Sequence, residues 1–259
     1  VRGYIRDALV REGADAATQD AWAAEKPGLN PLNAFKAREQ VYTAYAQINY
    51  AFDVGIPVDG VIGTRVIVTR NRLNGTNRLP TEGGGSVLVP IDSSTQYTDI
   101  LPNISAQLHF TDRLKLRLSR TQALSRPGFN QINPTLTISQ GTIGGNISYT
   151  GSGGNPNLQP IRSDNYDASL EYYFSRTGSV SLAGFYRKIH GFINTLPDQV
   201  NVPPYGEILV YRPLNSSSGE IKGIEAAATA FFDFLPGALR GLGAQANFTY
   251  IDAKQIVPP

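Results

Sequence analysis

The side chains best placed to do chemistry are charged residues set between apolar ones. Arg65, Lys115, Arg117, Asp167, Glu171 and Glu225, with the amides Gln245 and Asn247, fall at alternate positions in stretches that otherwise read as strand. Alternate side chains of a strand share a face. These residues therefore predict a polar wall that could line a watery lumen, hold another protein segment or guide a polar solute. Mutual neutralisation across strands is the plainer use of such charges, and contributes roughly 0.2–1 kcal/mol per pair. Other constellations are weak. His109 and His190 stand far apart, without metal-ligand spacing. Asp164 and Asp167 straddle a strand start and suit a solvated rim better than an acid–base pair. Nucleophile elbow, phosphate loop and HExxH helix are all missing. We expect no enzyme, no metal and no cofactor. Four aromatics in loop-like stretches, Trp22, Phe129, Tyr149 and Tyr205, could stack on a ligand or pack the loops together.

Composition narrows the elements that must position these groups. The chain has 259 residues, 41% of them hydrophobic, so an apolar face of useful size is available. Lys+Arg 23 against Asp+Glu 21 leaves a net charge of +2, which does not suggest a nucleic-acid partner. Cysteine is absent, which excludes a disulfide scaffold and a thiolate metal site. Methionine is also absent and the chain opens with Val1, so we expect an internal fragment. No signal peptide is visible, and no apolar run is long enough for a spanning helix. A membrane crossing, if present, must use strands.

The informative signal is a period of two. In residues 42–53, Tyr42, Ala44, Ala46, Ile48, Tyr50 and Phe52 alternate with Thr43, Tyr45, Gln47, Asn49, Ala51 and Asp53. The pattern recurs over residues 101–110, 114–121, 165–174 and 242–251, and more weakly over 61–69, 179–189 and 223–232, which makes about eight strands. Half-buried strands of soluble proteins alternate too. Three features favour a membrane. Charge sits mid-strand on the polar face, where a dry core could not hold it. The apolar face runs unbroken for roughly 10 residues, the length a tilted spanning strand needs. Aromatics gather at strand ends: Tyr50, Phe52, Phe110, Tyr172, Phe174 and Phe232 near short turns, and Tyr42, Tyr97, Tyr166, Tyr186 and Tyr250 near long loops. Two such belts match the girdles of outer-membrane barrels.

Connections sort in the same way. Short turns are expected near residues 55–60, 111–113, 175–178 and 233–241, and long loops over 71–96, 125–163 and 190–218. Short turns on one side and long loops outside are the arrangement of such barrels. Glycine and proline clusters such as Gly83-Gly84-Gly85, Gly151-Ser152-Gly153-Gly154 and Pro203-Pro204 argue against sheet in those loops. Residues 1–35 are expected to be an extracellular loop segment, with helix over 4–26 stopped by Pro27, and residues 36–259 a β-barrel segment.

Several stretches resemble TonB-dependent receptors, including the large group found in Caulobacter- and Xanthomonas-like bacteria. They are YTDILPNISAQLHFTDRLKLRLSRTQALSRPGF from Tyr97, GNPNLQPIRSDNYDASLEYYF from Gly154 and GEIKGIEAAATAFFDFLPGALRGLGAQANFTYIDA from Gly219. YAQINYAFDVGIPVDGVIGTRVIVT from Tyr45 fits less strongly. The resemblance implies a roughly 22-stranded barrel, closed by an internal plug that the inner-membrane protein TonB pulls. It implies an outer-membrane site, lipid around the barrel, and a small to medium nutrient as ligand: a siderophore, cobalamin or an oligosaccharide. The loop aromatics could stack on any of these. Neither plug nor TonB-contacting segment precedes Val1, so we expect a partial barrel lacking its plug.

We therefore expect an all-β chain: an antiparallel, up-and-down transmembrane barrel segment with long extracellular loops. Alone, its strands should form a curved sheet with two open edges, although eight strands can also close. A passive porin-like channel and a soluble carbohydrate-binding β domain are the alternative readings. The Ser125-Arg126-Pro127 and Asn155–Pro160 motifs are expected to end strands and set loop exits, more than to touch substrate.

Overall fold

The computed structural model describes residues 34–256 except 82, 233 and 234, and omits the side chains of 238 and 240. The expected helix over residues 4–26 lies outside the described residues, as does Trp22. Ten strands form one sheet. They are β1 (Lys36–Asp53), β2 (Pro57–Pro80), β3 (Ser86–His109), β4 (Leu114–Ser125), β5 (Leu136–Ile143), β6 (Asn146–Gly153), β7 (Ile161–Tyr172), β8 (Ser179–Asn201), β9 (Glu207–Phe231) and β10 (Gly243–Ile256). A short 3-10 turn, Gly237–Gly241, precedes β10.

The antiparallel order is β1-β2-β3-β4-β7-β8-β9-β10. These are the eight strands that alternation predicts. Their short turns are chemically specified. Asp53 Oδ1 accepts a hydrogen bond from Gly55 N at 2.8 Å, and Gly55 takes a φ of 91°, which glycine adopts freely. Thr111 Oγ1 accepts from Leu114 N at 2.9 Å and closes the β3–β4 turn.

Two expectations about the long loops need correction. Residues 71–96 and 190–218 are largely strand. The β2–β3 ladder continues to Pro80↔Ser86, and the β8–β9 ladder to Asn201↔Glu207. Backbone pairing needs no apolar stripe, so strands continue where both faces carry polar residues. The clusters Gly83–Gly85 and Pro203-Pro204 sit at the hairpin tips, whereas Gly75, Pro90, Pro197 and Pro213 lie within these ladders and Gly151 and Gly153 within β6. The third expected loop, 125–163, contains the β5–β6 hairpin. β6 pairs in parallel with β9 through Thr150↔Leu209 to Ser152↔Tyr211, and β5 touches β2 in parallel at Arg78↔Thr137. The result is a ring, β2-β3-β4-β7-β8-β9-β6-β5, closed at the end away from the short turns. β1 and β10 flank the ring and do not pair with each other among the described residues. The two free edges match the open-sheet expectation, and the closure by a loop hairpin does not.

Among the described residues the core clusters sit at the hairpin end. Leu73, Ile132 and Leu158 form one cluster with Ile193 against it. Ile138, Ile208 and Val210 form another, packed by Leu79, Leu136, Tyr149, Val200, Val202 and Tyr205. The segment between β4 and β7 supplies Ile132 and Leu158, and is tied down by its own polar groups. Asn155 Nδ2 donates to Pro213 O at 2.9 Å, and Gln159 N donates to Asn215 Oδ1 at 2.9 Å. The Asn155–Pro160 motif thus anchors a connection. At the turn end the large apolar side chains face outward and are exposed: Ile48 at 72%, Leu182 at 55% and Phe248 at 60%.

Candidate functional site

Directly opposed residues of an antiparallel ladder share a face, and the register therefore decides which side chains stand together. One row runs His109–Lys115–Glu171–Ser181–Ala227–Asn247. The next runs Asp59–Gln107–Arg117–Ser169–Ala183–Glu225–Thr249. A third runs Ser105–Ser119–Asp167–Phe185–Gly223. Gln245 opposes Thr229, and Arg65 lies higher on the same face between Tyr45 and Leu101. All eight polar positions singled out from the sequence therefore share one face of the antiparallel sheet. The opposite face reads Ala106–Leu118–Ala168–Gly184–Ile224–Tyr250 across six strands.

The polar face carries a ladder of charge pairs. Arg117 Nε lies 2.9 Å from Glu171 Oε1, and Arg187 Nη2 lies 2.5 Å from Asp167 Oδ1. Glu171 also accepts from Tyr173 OH at 2.8 Å and Ser169 Oγ at 3.2 Å. His109 Nε2 stands 2.5 Å from Asp59 Oδ1 and 3.1 Å from Gln107. Lys115 Nζ lies over the Tyr173 ring, 5.9 Å from its centroid. Arg65, Lys115 and Glu225 have no ion-pair partner among the described residues. Of these groups Asp59, Gln107, Arg117, Asp167, Arg187 and Glu225 line a groove of about 980 Å³. Such a wall can hold water, a hydrated solute or a polar protein segment. Among the described residues no group of three potential metal ligands converges.

Sequence reasoning missed several partners. Asp59 and Arg187 sit in strands whose alternation is readable, but the pairing of one strand with another is not. Arg162 donates to Asp99 Oδ1 from Nε at 2.8 Å and Nη2 at 2.6 Å, and the Asp99 side chain is 1% exposed. Arg126 Nε reaches Glu39 Oε1 at 3.2 Å, joining the end of β4 to β1. The Ser125-Arg126-Pro127 motif thus carries an ion pair as well as a strand end.

The loop aromatics do not converge. Tyr149 and Tyr205 pack on each other with centroids 4.8 Å apart, and Tyr205 OH donates to Pro80 O at 2.7 Å. Both belong to the second core cluster, the packing alternative. Phe129 stands apart and exposed. Some of the belt aromatics pair, whereas Tyr97 lies on the inward face opposite Thr69 and not in the outward belt. Tyr50 stacks on Phe52 at 5.6 Å at the turn end, and Tyr166 meets Tyr186 at 6.1 Å at the other.

A family model described as "TonB dependent receptor-like, beta-barrel" matches residues 6–258. The chain belongs to this family. No curated protein matches the sequence. Among solved structures, the barrel resembles the FrpB iron transporter from Neisseria meningitidis, with 12% identity, a TM-score of 0.52, and coverage of 96% of this chain and 29% of that one. A variant of the ferric enterobactin receptor PfeA from Pseudomonas aeruginosa, in complex with enterobactin, has 16% identity, a TM-score of 0.49, and coverage of 83% and 36%. The siderophore receptor PirA from Acinetobacter baumannii has 15% identity, a TM-score of 0.47, and coverage of 83% and 37%. This TonB-dependent receptor-like chain thus spans about a third of the length of these structures. The matches speak to the family and the barrel fold, not to the Caulobacter–Xanthomonas group within it.

Proposed function

We propose that the chain forms part of the barrel wall of a bacterial outer-membrane receptor that imports a bulky nutrient. The single observation that carries this reading is the two-faced sheet. Arg65, Lys115, Arg117, Asp167, Glu171, Glu225, Gln245 and Asn247 share one face, while Ile48, Leu182 and Phe248 stand exposed on the other. Leaving a large apolar side chain in water costs about 1.5–3 kcal/mol relative to burying it. A lipid bilayer removes that cost for the whole row, and a watery lumen accepts the charges. The polar wall then faces the receptor's plug and the passing ligand, and TonB acts through that plug. The free edges of β1 and β10 would pair with the remaining wall strands. The likeness of the barrel to the FrpB iron transporter makes an iron chelate the first ligand to test, ahead of cobalamin and oligosaccharides.

The experiment is uptake of labelled ferric chelates by cells that lack their own receptors and produce the intact protein. Uptake should appear with TonB and vanish without it. Uptake that persists without TonB would assign a passive, porin-like channel. A chain that folds and stays monodisperse in water without detergent would assign a soluble domain and end the membrane reading.

A further inference from the structure

Beyond the apolar rows, the outward face of β1–β3 turns cationic. Register places Gln40, Arg70 and Gln96 in one row, Arg38, Arg72 and Ser94 in the next, and Lys36, Asn74 and Asp92 in the third. Immediately below lie Tyr42–Val68–Thr98 and Ala44–Val66–Ile100, which belong to the apolar face. Lys36, Arg38, Arg70 and Arg72 are exposed. The only carboxylate in these rows, Asp92, accepts a hydrogen bond from Asn74. Rows two residues apart lie about 6.6 Å from each other and strands about 4.8 Å apart, so the patch measures about 13 Å by 10 Å.

Two features of the patch call for an external anion. Arg38 directly opposes Arg72, and like charges in that position repel. Among the described residues, none of Lys36, Arg38, Arg70 and Arg72 has a carboxylate within ion-pair distance. Arg70 instead donates from Nε to Gln96 Oε1 at 2.8 Å and lies 5.6 Å from the centre of the Tyr42 ring. A groove of about 360 Å³ opens between Gln40, Arg70, Arg72, Ser94 and Gln96. The same face of β7–β10, just beyond its own apolar rows, is different. There the rows read Asp164–Lys188–Glu220–Lys254 and Tyr166–Tyr186–Lys222–Asp252. Lys222 lies 3.6 Å from Asp252, and Arg120 and His190 each lie 3.9 Å from Asp164. Cationic excess is therefore confined to β1–β3 and is not a general property of these strand extensions.

We propose that this patch binds the phosphate groups of an anionic lipid headgroup in the outer leaflet, with the acyl chains lying on the apolar rows below. The proposal rests on the membrane reading above. Guanidinium groups match phosphate oxygens in bidentate geometry, and an anion between Arg38 and Arg72 removes their repulsion. Continuity with the apolar face selects a lipid over a free anion, because headgroup and chains are presented together.

The test uses the intact receptor in phosphatidylcholine nanodiscs doped with bisphosphorylated lipid A or its dephosphorylated form. Native mass spectrometry counts the lipid retained, after protease resistance has shown that each variant is folded and inserted. The bisphosphorylated lipid should be retained in preference. The double variant Arg38→Gln/Arg72→Gln should retain about thirtyfold less, the scale expected for two basic groups near an anionic surface. Arg38→Lys/Arg72→Lys keeps the charge but loses the bidentate fork and should retain an intermediate amount, and Lys222→Gln, on the self-compensated side, should leave it unchanged. Equal retention of both lipids, or a Gln double variant that matches the parent, overturns the proposal. Displacement by equimolar inorganic phosphate also overturns it and reassigns the patch to free anions. A receptor that inserts normally but shows no phosphate preference leaves the barrel reading intact. A receptor that needs no lipid or detergent removes that reading first.

Discussion

The turn end and the hairpin end of the sheet use the same strands in opposite senses. At the turn end, apolar side chains point outward and charges point inward. At the hairpin end, Leu73, Ile138, Ile208 and Val210 are buried inside and charges point outward. The switch can be followed along β2. Its outward positions run Ile62, Thr64, Val66 and Val68, then Arg70 and Arg72. Its inward positions run from exposed Arg65 to buried Ile67, Thr69, Asn71 and Leu73. Neither the backbone pairing nor the period changes across this point. On the membrane reading proposed above, only the solvent does: hydrocarbon outside and water inside at one end, water outside and a protein core inside at the other. A strand's pattern therefore reports its surroundings, residue pair by residue pair, more than it reports its own conformation.

Substitutions at matched depths test this contrast. The largest effect is expected in the hairpin-end core. Leu73→Ala leaves a cavity under the folded-in segment and should destabilise the receptor by about 2–5 kcal/mol. Urea unfolding from lipid vesicles measures it, and a change near zero would mean that the core cluster is not formed in the membrane-bound protein. Next comes the lipid face. Leu182→Arg should cost about 2–4 kcal/mol in a bilayer. If the same variant is neutral in vesicles, the outward row does not meet hydrocarbon. The smallest effect is expected on the polar wall. A double-mutant cycle on Arg117→Gln and Glu171→Gln should return a coupling of about 0.2–1 kcal/mol. A much larger coupling would show that this wall is drier than a lumen.

Particular elements show how far residue order carried. The eight long strands, their apolar row and the shared face of the eight polar positions were legible because alternation is local: each strand states its own two faces. The motifs before β7 were legible as strand-ending devices because proline and asparagine act on their immediate backbone. The extensions of β2, β3, β8 and β9 were not. Past the apolar rows the stripe stops, and the ladder continues on backbone bonds that no side-chain pattern announces. Tyr149 and Tyr205 looked equally suited to ligand and to packing until the fold put them in one cluster.

From the order of its residues alone, this protein is an antiparallel β chain with one oily and one polar face, because that requires only neighbours along the strand. Which charge meets which, where the ring closes and where the cations stay unmatched depend on strands far apart in the chain. Arg126 meets Glu39, β6 lies beside β9, and Arg38 opposes Arg72 only once register is set. Register is a property of paired strands, so no single stretch of sequence contains it.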